Sequence, residues 1–144
     1  MARVSTMINF ARSTEQAFNF YKSIFGGDFS GPIMRFGDIP SDPAHPMAEA
    51  DKSLIAHIEL PILGGHILMG NDVSDSDRFT LNTGNNFYIS LQPDDRKETD
   101  RLFHALSDGG KVEMSLAEMF WGDYFGTLID RFGIQWMFIC PIKK

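Results

Sequence analysis

The sequence predicts an α+β fold made of two consecutive βαβββ modules. Three observations carry that reading. Each half of the 144-residue chain holds one amphipathic helical segment that stops at a Gly-Gly pair, each helix follows a strand-like run, and each is followed by an extended segment and then a hairpin pattern. The implied organisation is one domain over 1–144, with module one at about 1–72 and module two at about 84–141.

"RVSTMINF" (3–10) is β-branched and apolar enough for the first strand. The helix after it is predicted with Ser13 as its cap and Gln16 at the reciprocal box position. Ala17, Phe20, Tyr21 and Ile24 then form its apolar stripe, and Gly26-Gly27 ends it. "DFSGPIMRF" (28–36) is a short extended piece. The run "GDIPSDPAHPMAEADK" (37–52) places prolines among small and acidic residues and reads as a surface loop. "LIAHIEL" (54–60) alternates, and across "PILGG" it finds its hairpin partner "HILMGN" (66–71).

A polar, acidic loop, "DVSDSDRFTLNTG" (72–84), leads into the second half. There "NNFYISLQ" (85–92) is a strand and "DDRKETDRLFHALSDGG" (94–110) a helix with Thr99, Leu102, Phe103 and Leu106 on one face. "FYKSIFGGD" (20–28) and "LFHALSDGGK" (102–111) are the same helix end used twice. The last hairpin joins "YFGTLI" (124–129) to "IQWMFI" (134–139) through "DRFG", where Asp130 suits the first position of a turn and Gly133 the last.

Hydrophobic residues make up 43% and charged residues 22%, which suits one soluble domain with a buried core. A formal charge of -6 leaves no basic surface of the size a phosphate backbone needs, so nucleic acid is excluded as a partner. The single Cys140 cannot form an internal disulfide. No apolar run reaches the length of about 18 residues that a membrane span requires, and none marks secretion, so the expected location is cytoplasmic, away from the membrane.

Three stretches, "AFNFYKSIFGGDF" (17–29), "AHIELPILGGHILMGND" (56–72) and above all "GGKVEMSLAEMFWGDYFGTLIDRFGIQWMF" (109–138), resemble the PhnB-like branch of the vicinal oxygen chelate superfamily. That superfamily includes glyoxalase I, extradiol dioxygenases and the bleomycin and fosfomycin resistance proteins, and the resemblance covers nearly the whole chain. It implies a glyoxalase/bleomycin-resistance-like pair of curled mixed sheets around a cavity, commonly in a homodimer. It also implies, in the superfamily's enzymes, a divalent metal held by four His or Glu side chains, one on the first and one on the last strand of each module. The matching positions here are Thr6, Met69, Asn85 or Asn86, and Met137. Hard divalent ions want oxygen or imidazole donors, whereas thioethers suit soft ions. No metal at that place and no cofactor are therefore expected.

"FWGDYFGTLIDRFGIQWMF" (120–138) gathers both tryptophans of the chain. With helices on the convex face, the Trp136 and Phe138 set is core, while Gln135 and Met137 look into the concavity. Phe120, Trp121 and Tyr124 then stand near the cavity mouth. The expected wall consists of Met69, Met137, Phe87, Trp121 and Tyr124, marked by the polar groups of Thr6, His57, Asn85 and Gln135, and it suits a small, flat or partly apolar ligand. His57 and Glu59 point the same way on one strand. Three readings of them are open: a general acid/base pair, half of a displaced metal site, or an ordinary surface pair. His45 and His104 are expected in solvent. Glu113, Glu118 and Asp123 read as turn-closing or hydrogen-bond-accepting carboxylates, with a base beside tryptophan as the sharper alternative, and Cys140 as a small buried hydrophobe.

Two functions compete. The first is a metal-free binding protein of the resistance or sequestration type, holding a small molecule. The second is a lyase, isomerase or dioxygenase of the glyoxalase type, either metal-dependent or run by His57 and Glu59 as acid and base. The methyltransferase label that PhnB-like sequences sometimes carry meets no glycine-rich strand-to-helix turn followed by an acidic residue. Arg12, Arg35 and Arg131 are scattered and form no cluster for a phosphonate. The missing metal ligands favour binding over catalysis.

Overall fold

The structure is a computed structural model that describes residues 1–40, 42–44, 46–74 and 80–142; His45 and residues 75–79 of the acidic loop lie outside the described residues. The chain falls into two compact units, Met1–Asn82 and Thr83–Lys144. Each is a four-stranded mixed sheet with one helix.

In the first unit, β1 (Thr6–Phe10), α1 (Thr14–Phe25), β2 (Met34–Arg35), β3 (Ile55–Pro61) and β4 (Ile67–Asp72) follow in order. The sheet order is β1-β4-β3-β2, with β1 parallel to β4 and the other neighbours antiparallel. The second unit repeats this plan with β5 (Ile89–Leu91), α2 (Arg96–Ser107), β6 (Lys111–Glu118), β7 (Asp123–Ile129) and β8 (Gln135–Pro141), in the order β5-β8-β7-β6. Again the first strand lies parallel to the last. Among its described residues the 37–52 run carries short 3₁₀ turns, an isolated bridge at Asp42 and no longer element, as its prolines imply.

α1 forms because Thr14, Ala17, Phe18, Tyr21 and Ile24 make a continuous apolar stripe, all of it buried. The stripe is rotated from the expected one: Phe18 is fully buried, while Phe20 sits at the stripe's edge, half-buried. Room for Phe18 comes from Gly70 on β4, where a Cβ would lie 2.9 Å from the ring's Cζ and 3.0 Å from Thr14 Cγ2. Gly126 on β7 does the same for Phe103 of α2, whose Cε2 would meet a Cβ at 3.0 Å. On α2 the buried residues are Thr99, Leu102, Phe103 and Leu106, the face the sequence marks out.

The Ser13 cap is corrected. Its side chain makes no capping hydrogen bond. Instead the buried carboxylate of Asp72, at the end of β4, accepts the backbone N–H of Thr14 on Oδ1 at 3.0 Å and that of Ile55 on Oδ2 at 2.8 Å. One side chain therefore ties α1, β3 and β4 together. α2 is capped conventionally, with Asp95 Oδ1 accepting from the Glu98 N–H at 2.8 Å. Among the described residues no helix is long and apolar enough to cross a membrane.

Candidate functional site

Strand parity decides which side chains meet the helix. In the first sheet Ile8 and Phe10 are buried on the side of α1, and Ile8 registers with Gly70, the glycine under Phe18. Alternation then sends Met7, Asn9, Met69, Asn71, His57 and Glu59 to the other, helix-free face. Met69 lies in register with Met7 on one side and Glu59 on the other, Asn9 with Asn71 one rung along, and Met34 with His57.

The polar centre of this face is the His57–Glu59 pair, with Nε2 and Oε2 2.7 Å apart and side chains 38% and 24% exposed. A carboxylate can only accept, so Nε2 carries the shared proton and Nδ1 is the free ring position. On the same face, the Oδ1 of Asn71 is buried with no hydrogen-bond partner among the described residues. An orphaned acceptor of this kind costs stability unless a donor reaches it.

Thr6 is a correction. It registers with Leu68, on the helix side of the sheet, and its Oγ1 is hydrogen-bonded to His66 Nε2 at 2.8 Å. The first-strand residues that share a face with Met69 are Met7 and Asn9. The signal was available in the sequence: once Ile8 and Phe10 are core, the odd-numbered residues of that strand must face the other way.

In the second sheet Met137 lies on the helix-free face, in register with Ser90 and Thr127. Gln135 shares that face but is buried, its Nε2 donating to the carbonyl of Phe87. Asn85 and Phe87 precede β5 and are exposed, because pairing with β8 begins only at Ile89. Trp121 is half exposed and packs edge-on against Phe120 and Phe125, with ring centroids 5.0 and 5.7 Å apart. Tyr124 is the second correction. It registers with Cys140 on the helix side, is buried, and donates its hydroxyl to Asp100 Oδ1 of α2 at 2.6 Å. Burial and the Asp100 carboxylate both push its phenol above the ordinary tyrosine range, against a smaller opposing pull from Arg96. His104 is exposed on α2, Glu113 accepts from Tyr88, Glu118 pairs with Arg96, and Cys140 is buried.

The donor set does not fit a hard divalent ion. Thioethers occupy Met69 and Met137, His57 and Glu59 satisfy each other, and among the described residues no three His, Cys, Asp or Glu side chains gather. A nucleoside cofactor fares no better at the β1–α1 turn. It is Ala11-Arg12-Ser13 without glycine, and Arg12 is held to Asp51 at 2.9 Å. Arg35 and Arg131 are likewise bound to carboxylates, Glu15 at 2.7 Å and Asp108 at 3.1 Å.

The family model described as 3-demethylubiquinone-9 3-methyltransferase matches residues 2–139. Protein YjdN of Escherichia coli strain K12 is 30% identical over 141 residues, covering 93% of this chain and 92% of its own. The crystal structure of protein PA1353 from Pseudomonas aeruginosa superposes with a TM-score of 0.84 at 31% identity, over 99% of this chain and 100% of that one. A putative 3-demethylubiquinone-9 3-methyltransferase, PhnB protein, from Bacillus cereus gives 0.71 at 24% identity, over 96% and 99% of the two chains, a likeness of fold. The two mixed sheets, each with its helix, are also the fold of glyoxalase/bleomycin resistance/dioxygenase proteins. The chain thus belongs to the 3-demethylubiquinone-9 3-methyltransferase family.

Proposed function

We propose that the protein binds a small, partly apolar molecule on the helix-free side of its first sheet, without a divalent metal, and that His57 and Glu59 anchor it. The carrying observation is the 2.7 Å His57–Glu59 pair on one face with Asn71, whose buried Oδ1 has no partner among the described residues, and with Met7, Asn9, Met34 and Met69. Methionine adapts its shape to varied ligands, and the few polar groups would fix orientation. Met69 remains in the proposed wall on the first sheet; Met137, Gln135 and Trp121, with Asn85 and Phe87 before β5, are proposed as ligand contacts of the second unit by itself. The methyl transfer in the family's description is not the activity we propose. We also propose that both modules act as one domain, in a cytoplasmic homodimer, as the family resemblance implies.

The second reading is acid/base catalysis at the same place. It is favoured by the free Nδ1 of His57, with Glu59 fixing the tautomer as a base requires. A thermal-shift screen of small molecules tests the main proposal. A compound that stabilises the wild type saturably, but not His57→Ala, supports it; equal stabilisation of both proteins places the ligand elsewhere. Turnover of that compound, lost in Glu59→Gln, would promote the second reading.

A further inference from the structure

A cavity of about 450 Å³ opens on the helix side of the second unit, within the size range of small-ligand sites. Its floor is apolar: the ring of Tyr124 with Pro141 and Ile142. Its rim is charged. The Arg96 guanidinium lies over the Tyr124 ring, 3.9 Å from the centroid, and reaches Glu118 at 3.2 Å. That bridge joins two side chains each 56% exposed, the kind of pair worth little in water.

The other two charged groups of the rim, Asp95 and Lys97, differ in what they already hold. Asp95 is committed to the Glu98 N–H as the cap of α2, whereas Lys97 makes no ion pair with any described residue. Both acids of the rim are thus in use, and a cation is the uncommitted charge.

We propose that this cavity binds a small organic carboxylate, its apolar body on Tyr124, Pro141 and Ile142 and its charged group taken by Arg96 in exchange for Glu118. Lys97 supplies the second positive contact. A planar guanidinium already held over a ring offers its N–H donors in the fork geometry a carboxylate prefers. Glu118, at the exposed end of β6, is the internal competitor that leaves when the ligand arrives.

The test is a saturation-transfer NMR titration of the full chain with benzoate, and with benzylamine as a cation of similar shape. Arg96, Lys97 and Glu118 are exposed, so their variants keep the fold. Saturable benzoate binding is expected, about two- to fivefold tighter in Glu118→Gln, which removes the competing charge. Arg96→Ala weakens it about tenfold or more, and Lys97→Ala weakens it less. Benzylamine binding as well as benzoate, an unchanged or weaker affinity in Glu118→Gln, or no saturable benzoate signal would each overturn the assignment.

Discussion

Asp130 Oδ2 accepts the indole N–H of Trp136 at 2.9 Å, and its Oδ1 takes the backbone N–H groups of Phe132 and Ile134 at 2.8 and 3.1 Å. Both residues are buried. One carboxylate thus closes the last turn and fixes the largest core side chain of the second unit. Asp130→Ala would remove the carboxylate that accepts from three donors, at a cost on the order of 3 kcal/mol. Asp130→Asn keeps one acceptor oxygen and should lose less. Urea unfolding followed by tryptophan fluorescence measures both; a loss under about 1 kcal/mol in the alanine variant would remove Asp130 from this role.

Asp72 holds α1 from outside the helix, so the usual cap position should be nearly silent. Ser13→Ala is expected to change stability by less than about 0.5 kcal/mol, below the roughly 1 kcal/mol of a working serine cap. Asp72→Ala, which strands the buried N–H groups of Thr14 and Ile55, should cost about 2–4 kcal/mol. Equal effects in the two variants would refute the assignment.

Much of this was legible because local pattern and tertiary packing agree. The α2 stripe, the two Gly-Gly stops, both hairpins and the Asp130 turn all follow from residue periodicity and turn chemistry. Misreadings arose where long-range partners decide. The strand expected over 85–92 shrinks to Ile89–Leu91, since β8 offers register partners only there. The cap of α1 comes from a residue 58 positions away, which no local rule can supply. Thr6 and Tyr124, expected at the cavity wall, face the helix side of their sheets. In both strands the buried neighbours fix the parity, with Ile8 and Phe10 in one and Leu128 in the other.

Tyr124 should leave a mark on the alkaline limb of the stability curve. Its phenol is raised above the ordinary value of 10.0, first by burial and then by Asp100. The unfolded chain ionises first, so this contribution is complete below pH 10 and is lost as pH rises through the folded-state value. Tyr124→Phe is expected to flatten that part of the curve while leaving neutral-pH cooperativity intact. Chemical denaturation at a series of pH values reads it directly, and an unchanged alkaline slope in Tyr124→Phe would contradict the shift.

The proposal that the thioether of Met69 keeps this face metal-free can be tested by putting a carboxylate in its place. Wild-type protein is expected to show no saturable stabilisation by Mg²⁺, Mn²⁺, Ni²⁺ or Zn²⁺ and no loss on adding chelator, because a thioether stands where a carboxylate would have to be. Met69 registers directly with Glu59, which already touches His57. Met69→Glu would therefore set two carboxylates and an imidazole on one face, a donor set suited to Zn²⁺ or Ni²⁺. Without metal the variant should be less stable than wild type, since like charges on adjacent strands repel. With metal at about 100 times its dissociation constant, binding should return roughly 2.7 kcal/mol. Stabilisation confined to the variant would show that the backbone still presents a metal-ready face and that methionine alone closes it. Stabilisation of the wild type by the same ions would instead mean that His57 and Glu59 already hold a metal, and the metal-free proposal would fall.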